Sequence, residues 1–147
     1  MQDGPPERPD DETALREANE RFYRALEALD LPAMESLWVR EPWVRCIHPG
    51  WDALVGWEAV RQSFEQIFVG TRWIRVTPTQ VTVKPFGDVA LVTCAENITA
   101  SNEGEVGVAV AQATNLFLRT SQGWRMIHHH ASPAPVHVTQ PFSGTVQ

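Results

Sequence analysis

Near the end of the chain stands WRMIHHHAS, Trp124 to Ser132, with three histidines in a row; far upstream, His48 stands before Pro49-Gly50. Imidazole titrates close to neutral pH, so a histidine held in a pocket can take or give a proton, and it also ligates metals. His48 closes the run PWVRCIH. Strand-like alternation there puts Val44, Cys46 and His48 on one face and Trp43, Arg45 and Ile47 on the other. Two apolar neighbours on its own face make His48 the candidate general base or acid, because partial desolvation favours the neutral, proton-accepting imidazole. The bland alternative is a core histidine bonded to a backbone carbonyl.

The triplet cannot act as one unit. Neighbours in a strand point to opposite faces, so strict alternation groups His128 and His130 with Trp124 and Met126, and His129 with Arg125, Ile127 and Ala131. His128 and His130 are the expected ligand-facing pair, and parity alone leaves His129 open as the alternative. A metal would need three or four ligands, with His48 as a third and Asp52 or Glu96 as the carboxylate. No HxxE or CxxC pattern supports that set, so the expectation is a site without metal or cofactor. Trp51, in the loop after the Pro-Gly turn, is the aromatic most suited to a flat apolar ligand. Trp38 and Trp124 read as core residues.

The elements that must position these groups are legible in the patterning. Leu15, Ala18, Phe22, Leu26 and Leu29 form one stripe of a helix from about 11 to 29, with Asp10 or Asp11 as a possible cap. Asp30-Leu31-Pro32 opens a second, short helix. After the His48 strand and the WDALVG loop, GWEAVRQSFEQIFVG reads as a third helix with Val60, Phe64, Ile67 and Phe68 on its apolar side. Four strands follow: WIRVTPTQVTVKPFG, bent or bulged near Pro78, then VALVTCAENITAS, EVGVAVAQATNLFLRT and GWRMIHHHAS, joined by short turns. Consecutive strands with tight turns make an antiparallel sheet, and helices gathered at the start must cover one face of it. The expected architecture is an α+β cone, a curved antiparallel sheet wrapped around N-terminal helices, with a pocket at its open end. Residues 1–10 read as a flexible arm, 11–132 as a single domain and 133–147 as an extended tail.

Composition narrows the partners. The chain has 147 residues, 43% of them hydrophobic, enough for one domain with a real core. A formal charge of −6 without a basic run argues against nucleic acid and against an anionic membrane surface. No apolar run is long enough to span a bilayer and the polar, Pro-rich start is unlike a secretory signal, so the expected compartment is the cytoplasm. Cys46 and Cys94 form no disulfide framework and read as buried, reduced thiols.

Three stretches together, ERFYRALEALDLPAMESLW, IHPGWDALVGWEAVRQSF and GWRMIHHHAS, resemble the nuclear transport factor 2-like superfamily and, within it, the SnoaL-like proteins. The resemblance spans roughly residues 12–132 and implies the cystatin-like α+β barrel. It also implies a homodimer formed through the outer sheet face and a pocket for a small, largely apolar molecule. Its members range from ketosteroid isomerases, cyclases and dehydratases to plain binding or dimerisation modules. His48-Pro49 stands where the isomerases carry their proton-moving Asp-Pro pair. Phe22, with Tyr23 beside it, falls at their oxyanion-hole tyrosine, and Thr114 and Asn115 near their second aspartate. The departure at both carboxylates argues against steroid isomerisation by that mechanism. What the resemblance implies is a pocket contacted by Phe22, Tyr23, Trp51, Asn115, His128 and His130, with His48 for cofactor-free isomerase, cyclase or hydratase chemistry. The alternative is a module without chemistry.

Overall fold

A computed structural model describes residues 10–136. Helix α1 (Asp11–Ala28) is held by its apolar stripe, and Leu15, Ala18, Phe22, Tyr23 and Ala25 are all buried. It ends where Leu29 turns left-handed, at φ 52°. Asp30 then caps α2 (Leu31–Glu35), its carboxylate accepting from Ala33 N, with Pro32 in the first turn. The other end of α1 departs from expectation. Asp10 makes no side-chain cap bond, and buried Asp11 instead receives two hydrogen bonds, of 3.0 and 2.8 Å, from the Arg119 guanidinium. Arg119 also lies over the Trp124 ring, 4.4 Å from its centroid, so the helix start is tied to the end of the sheet.

The strands are β1 (Arg45–Ile47), β2 (Leu54–Val55), β3 (Trp73–Phe86), β4 (Val89–Asn102), β5 (Glu105–Thr120) and β6 (Gly123–Ala134), with α3 (Trp57–Val69) before β3. They form one curved, unclosed sheet in the order β2-β1-β6-β5-β4-β3. The β3–β6 meander is antiparallel, as the tight turns require, whereas β1 docks parallel to β6 through Cys46 opposite His129. The WDALVG loop contains an additional short strand, β2, paired with β1. The expected arm falls, apart from Asp10, outside the described residues, and so do positions 137–147 of the expected tail; β6 itself runs through Pro133 to Ala134.

Two irregularities bend the sheet and invert the facing of the side chains beyond them. In β3 the register against β4 shifts between Thr79 and Thr82, around Gln80 at φ 54°. Before it Ile74, Val76 and Pro78 lie opposite inner-face residues of β4, and after it Val83 and Pro85 do. In β6 the register against β5 shifts at Ile127: Leu116 pairs with His128, but Phe117 pairs with Met126.

Glycine is required before α3. Gly56 has φ 94° and ψ 149°, a region open essentially only to glycine, and an added Cβ would lie 3.3 Å from the Pro42 carbonyl oxygen. Gly56→Ala is expected to lose roughly 1–3 kcal/mol in urea unfolding; unchanged stability would mean that the segment relaxes without strain.

Candidate functional site

The inner face of the sheet carries a polar cluster where a core would ordinarily be apolar. From β1 and the turn after it come Cys46 and His48; from β4, Cys94 and Glu96; from β5, Asn115; from β6, His129; from α1, Asn19 and Tyr23; from α3, Ser63. All nine are buried. Cross-strand pairing explains the convergence: Asn115 lies opposite His129 on one side and Val92 on the other, and Cys46 lies opposite His129.

Asn115 is the hub. Its Nδ2 donates to Asn19 Oδ1 at 2.8 Å and to Tyr23 Oη at 3.3 Å, and its Oδ1 lies 2.6 Å from His129 Nδ1. Tyr23 Oη donates to Glu96 Oε2 at 2.7 Å and sits 3.3 Å from Cys94 Sγ. His129 Nε2 faces the same Glu96 oxygen at 3.9 Å. The second group is joined through His48, whose Nε2 lies 2.8 Å from Ser63 Oγ, while Ser63 Oγ donates to Val60 O at 2.6 Å. The two imidazole centroids are 6.4 Å apart. Phe22 packs on His129, and Phe64 and Trp51 pack edge-on against His48 at 5.0 and 4.8 Å.

Burial sets the protonation states. It lowers His48 to about 4, and lowers His129 to about 3 with help from the neighbouring imidazoles. Glu96 is raised by burial, against the hydrogen bond from Tyr23, and Tyr23 is raised by burial and by Glu96. The His129–Glu96 contact is therefore a neutral imidazole facing a carboxyl held toward its acid form, and not an ion pair.

Acid should expose this arrangement. Both imidazoles sit below their ordinary 6.5, so as the pH drops from 6.5 toward 4 the unfolded chain binds protons that the folded chain refuses, and stability falls. The His48 shift alone corresponds to about 3 kcal/mol. Glu96 runs the other way: its contribution is present at low pH and is lost as pH rises through its elevated folded value. With two imidazoles against one carboxyl, the unfolding free energy is expected to rise from pH 4 to pH 7. Urea titrations across that range measure it, and a flat or falling profile would contradict neutral, buried imidazoles.

Of the sequence candidates, His48, Phe22, Tyr23 and Asn115 meet in this cluster, and Trp51 touches its edge with 42% exposure. The expectation that His128 and His130 face inward is corrected. The β6 bulge turns Trp124 and Met126 inward, then His129 and Ala131, leaving His128 half-buried and His130 exposed on the outer face. The outer imidazoles stand 6.3 Å apart, cross-strand from Leu116 and Thr114, so they cannot converge with His48. Among the described residues no group of three His, Cys, Asp or Glu side chains could hold a metal ion.

Asn19, Ser63, Cys94 and the hydrogen-bonding role of Glu96 were not among the expected site residues. Three of them carried a signal, being polar at apolar-periodic positions: Asn19 between Leu15 and Phe22, Ser63 beside Phe64, and Glu96 in alternation with Val92 and Cys94. Open surface clefts of about 470 and 370 Å³ lie elsewhere, one beside Arg40 and Arg125, the other beside Ile98 and Val108.

A helix-lined, curved, unclosed six-stranded sheet built on an antiparallel meander is the cystatin-like α+β fold of the nuclear transport factor 2-like class. Residues 15–137 match the SnoaL-like domain model, and the chain belongs to that family. It is 37% identical to a proposed dehydratase of the nuclear transport factor 2-like family from Streptomyces avermitilis, with a TM-score of 0.82 over 88% of this chain and 100% of that one. It is 32% identical to a proposed association domain of calcium/calmodulin-dependent protein kinase type II from Thiobacillus denitrificans, with a TM-score of 0.72 over 82% and 94%. It is also 27% identical over 119 residues to the F-box protein SKIP8 of Arabidopsis thaliana; the match takes in 81% of this chain, which spans about half, 49%, of that curated relative. No helix among the described residues is long and apolar enough to cross a membrane.

Proposed function

We propose that the protein binds a small, largely apolar molecule inside the cone and carries out cofactor-free acid–base chemistry on it, most simply the dehydration of a β-hydroxy carbonyl compound. One observation carries this reading: two neutral imidazoles and a protonatable carboxyl are gathered on the inner face among aromatic side chains. His48 is the proton-transfer residue. Its imidazole takes the proton α to the carbonyl, and the imidazolium returns it to the departing hydroxyl, so that an enone and water are the products. The likeness to the Streptomyces avermitilis protein supports an elimination. Buried Trp38, which packs on Phe64 as His48 does, leaves its indole N–H without an acceptor among the described residues, and a ligand carbonyl would satisfy such a donor.

The test is a panel of neutral aromatic β-hydroxy ketones, followed by absorbance of the conjugated product. Turnover of at least one is expected; neither turnover nor binding of any would overturn the reading. The alternative is a binding or dimerisation module without chemistry. The closed hydrogen-bond network favours it specifically, since nearly every polar group already has an internal partner. A second copy is proposed on the outer sheet face, where Trp73, Val106 and Val108 are exposed and belong to the outward-facing cross-strand rows. Light scattering after gel filtration would read a dimer, and a strict monomer would refute it.

A further inference from the structure

We infer that Ser63 and Asn115 are positioning residues that hold His48 and His129 in opposite tautomers, so that the site presents two bare nitrogens, Nδ1 of His48 and Nε2 of His129, to a neutral ligand carrying hydrogen-bond donors. The argument is one of proton counting. Ser63 has a single hydroxyl proton, and it is directed to Val60 O at 2.6 Å. The 2.8 Å contact between Ser63 Oγ and His48 Nε2 must then be donated by the imidazole, which places the His48 proton on Nε2 and leaves Nδ1 bare. Asn115 spends both amide protons on Asn19 Oδ1 and Tyr23 Oη, so its Oδ1 can only accept. The 2.6 Å contact to His129 Nδ1 is therefore donated by His129, and its Nε2 is bare.

Neither bare nitrogen is well used by the protein. His48 Nδ1 has Cys46 Sγ at 3.9 Å, a weak thiol contact, and His129 Nε2 has Glu96 Oε2 at 3.9 Å, beyond hydrogen-bond range. Two buried acceptors lacking strong donors favour a ligand that supplies O–H or acidic C–H groups. An anion would bring only further acceptors into a desolvated site. This rests on the proposal that the cone binds a small molecule, and it adds which atoms accept the proton and which ligands are refused.

Imidazole nitrogen resonances of uniformly ¹⁵N-labelled protein report the tautomer directly, without any turnover. The expected spectrum has His48 protonated at Nε2 and His129 at Nδ1. Ser63→Ala is expected to release His48 into a mixture of tautomers while His129 stays fixed. Phenol, a neutral donor with a single hydroxyl proton, is expected to shift the resonance of the bare nitrogen it donates to, at His48 Nδ1 or at His129 Nε2, whereas benzoate leaves both in place. A shared or mixed tautomer in the unsubstituted protein, an unchanged His48 in Ser63→Ala, or no response to phenol would overturn the inference. Fixed tautomers and a phenol response without turnover of any β-hydroxy ketone would uphold it while removing the catalytic reading. Turnover with unfixed tautomers would do the reverse.

Discussion

His48→Gln is expected to lower kcat for dehydration by roughly 10²–10⁴-fold, the usual contribution of a positioned acid–base group. Gln is chosen because its amide can still donate to Ser63 Oγ, which His48 reaches at 2.8 Å, so the hydrogen bond survives while the titratable nitrogen is lost. The melting temperature should therefore move little while the rate collapses. Burial sharpens the prediction. With His48 lowered to about 4, the imidazole is unprotonated throughout the neutral range, so the acid limb of kcat/KM should lie near 4 and not near 6.5. An unchanged rate in His48→Gln would remove the residue from proton transfer, and a limb near 6.5 would place the working imidazole in water.

Asn115→Leu carries the second large effect, a stability loss of roughly 2–6 kcal/mol, because two buried polar partners would each lose a hydrogen bond at about 1–3 kcal/mol apiece. The partners are His129 Nδ1–H and Asn19 Oδ1; Tyr23 keeps its 2.7 Å bond to Glu96. Leucine has as many side-chain heavy atoms as asparagine, branched at the same carbon, and is the larger residue, so no cavity accounts for the loss. Urea unfolding measures it directly. A loss below about 1 kcal/mol would show that the cluster is satisfied some other way, since networks of this kind are ordinarily worth more than their pairwise sum.

Much of the positioning was legible from short-range rules. The stripe from Leu15 to Leu29 predicts α1 because burial of a helical face depends only on spacing near 3.6 residues. Asp30-Leu31-Pro32 predicts α2 because capping is local, and the Asp30 bond to Ala33 N confirms it. His48-Pro49-Gly50-Trp51 predicts a turn, and Gly50 at φ 83° with Trp51 N bonded to His48 O supplies it. The inward facing of Val44, Cys46 and His48 follows from alternation alone, because no irregularity interrupts that run.

Facing was lost wherever alternation broke. One extra residue at Ile127 exchanges His128 and His130 for His129, and another irregularity at Gln80–Val81 does the same along β3. A bulge is fixed by how two strands share a curved sheet, so its position depends on pairing between residues distant in sequence. The partners of the polar cluster were hidden for the same reason. Asn19 and Asn115 are 96 residues apart, and Tyr23 and Glu96 are 73 apart. The sequence by itself determined the elements, their order, the α+β class and the family, and it singled out His48, because those rest on composition, local periodicity and motif. Only the tertiary structure decided that His129 is the inward imidazole, that Glu96 faces it, and that Ser63 and Asn115 bond to the two rings, because hydrogen-bond partners in a folded core are chosen by three-dimensional proximity.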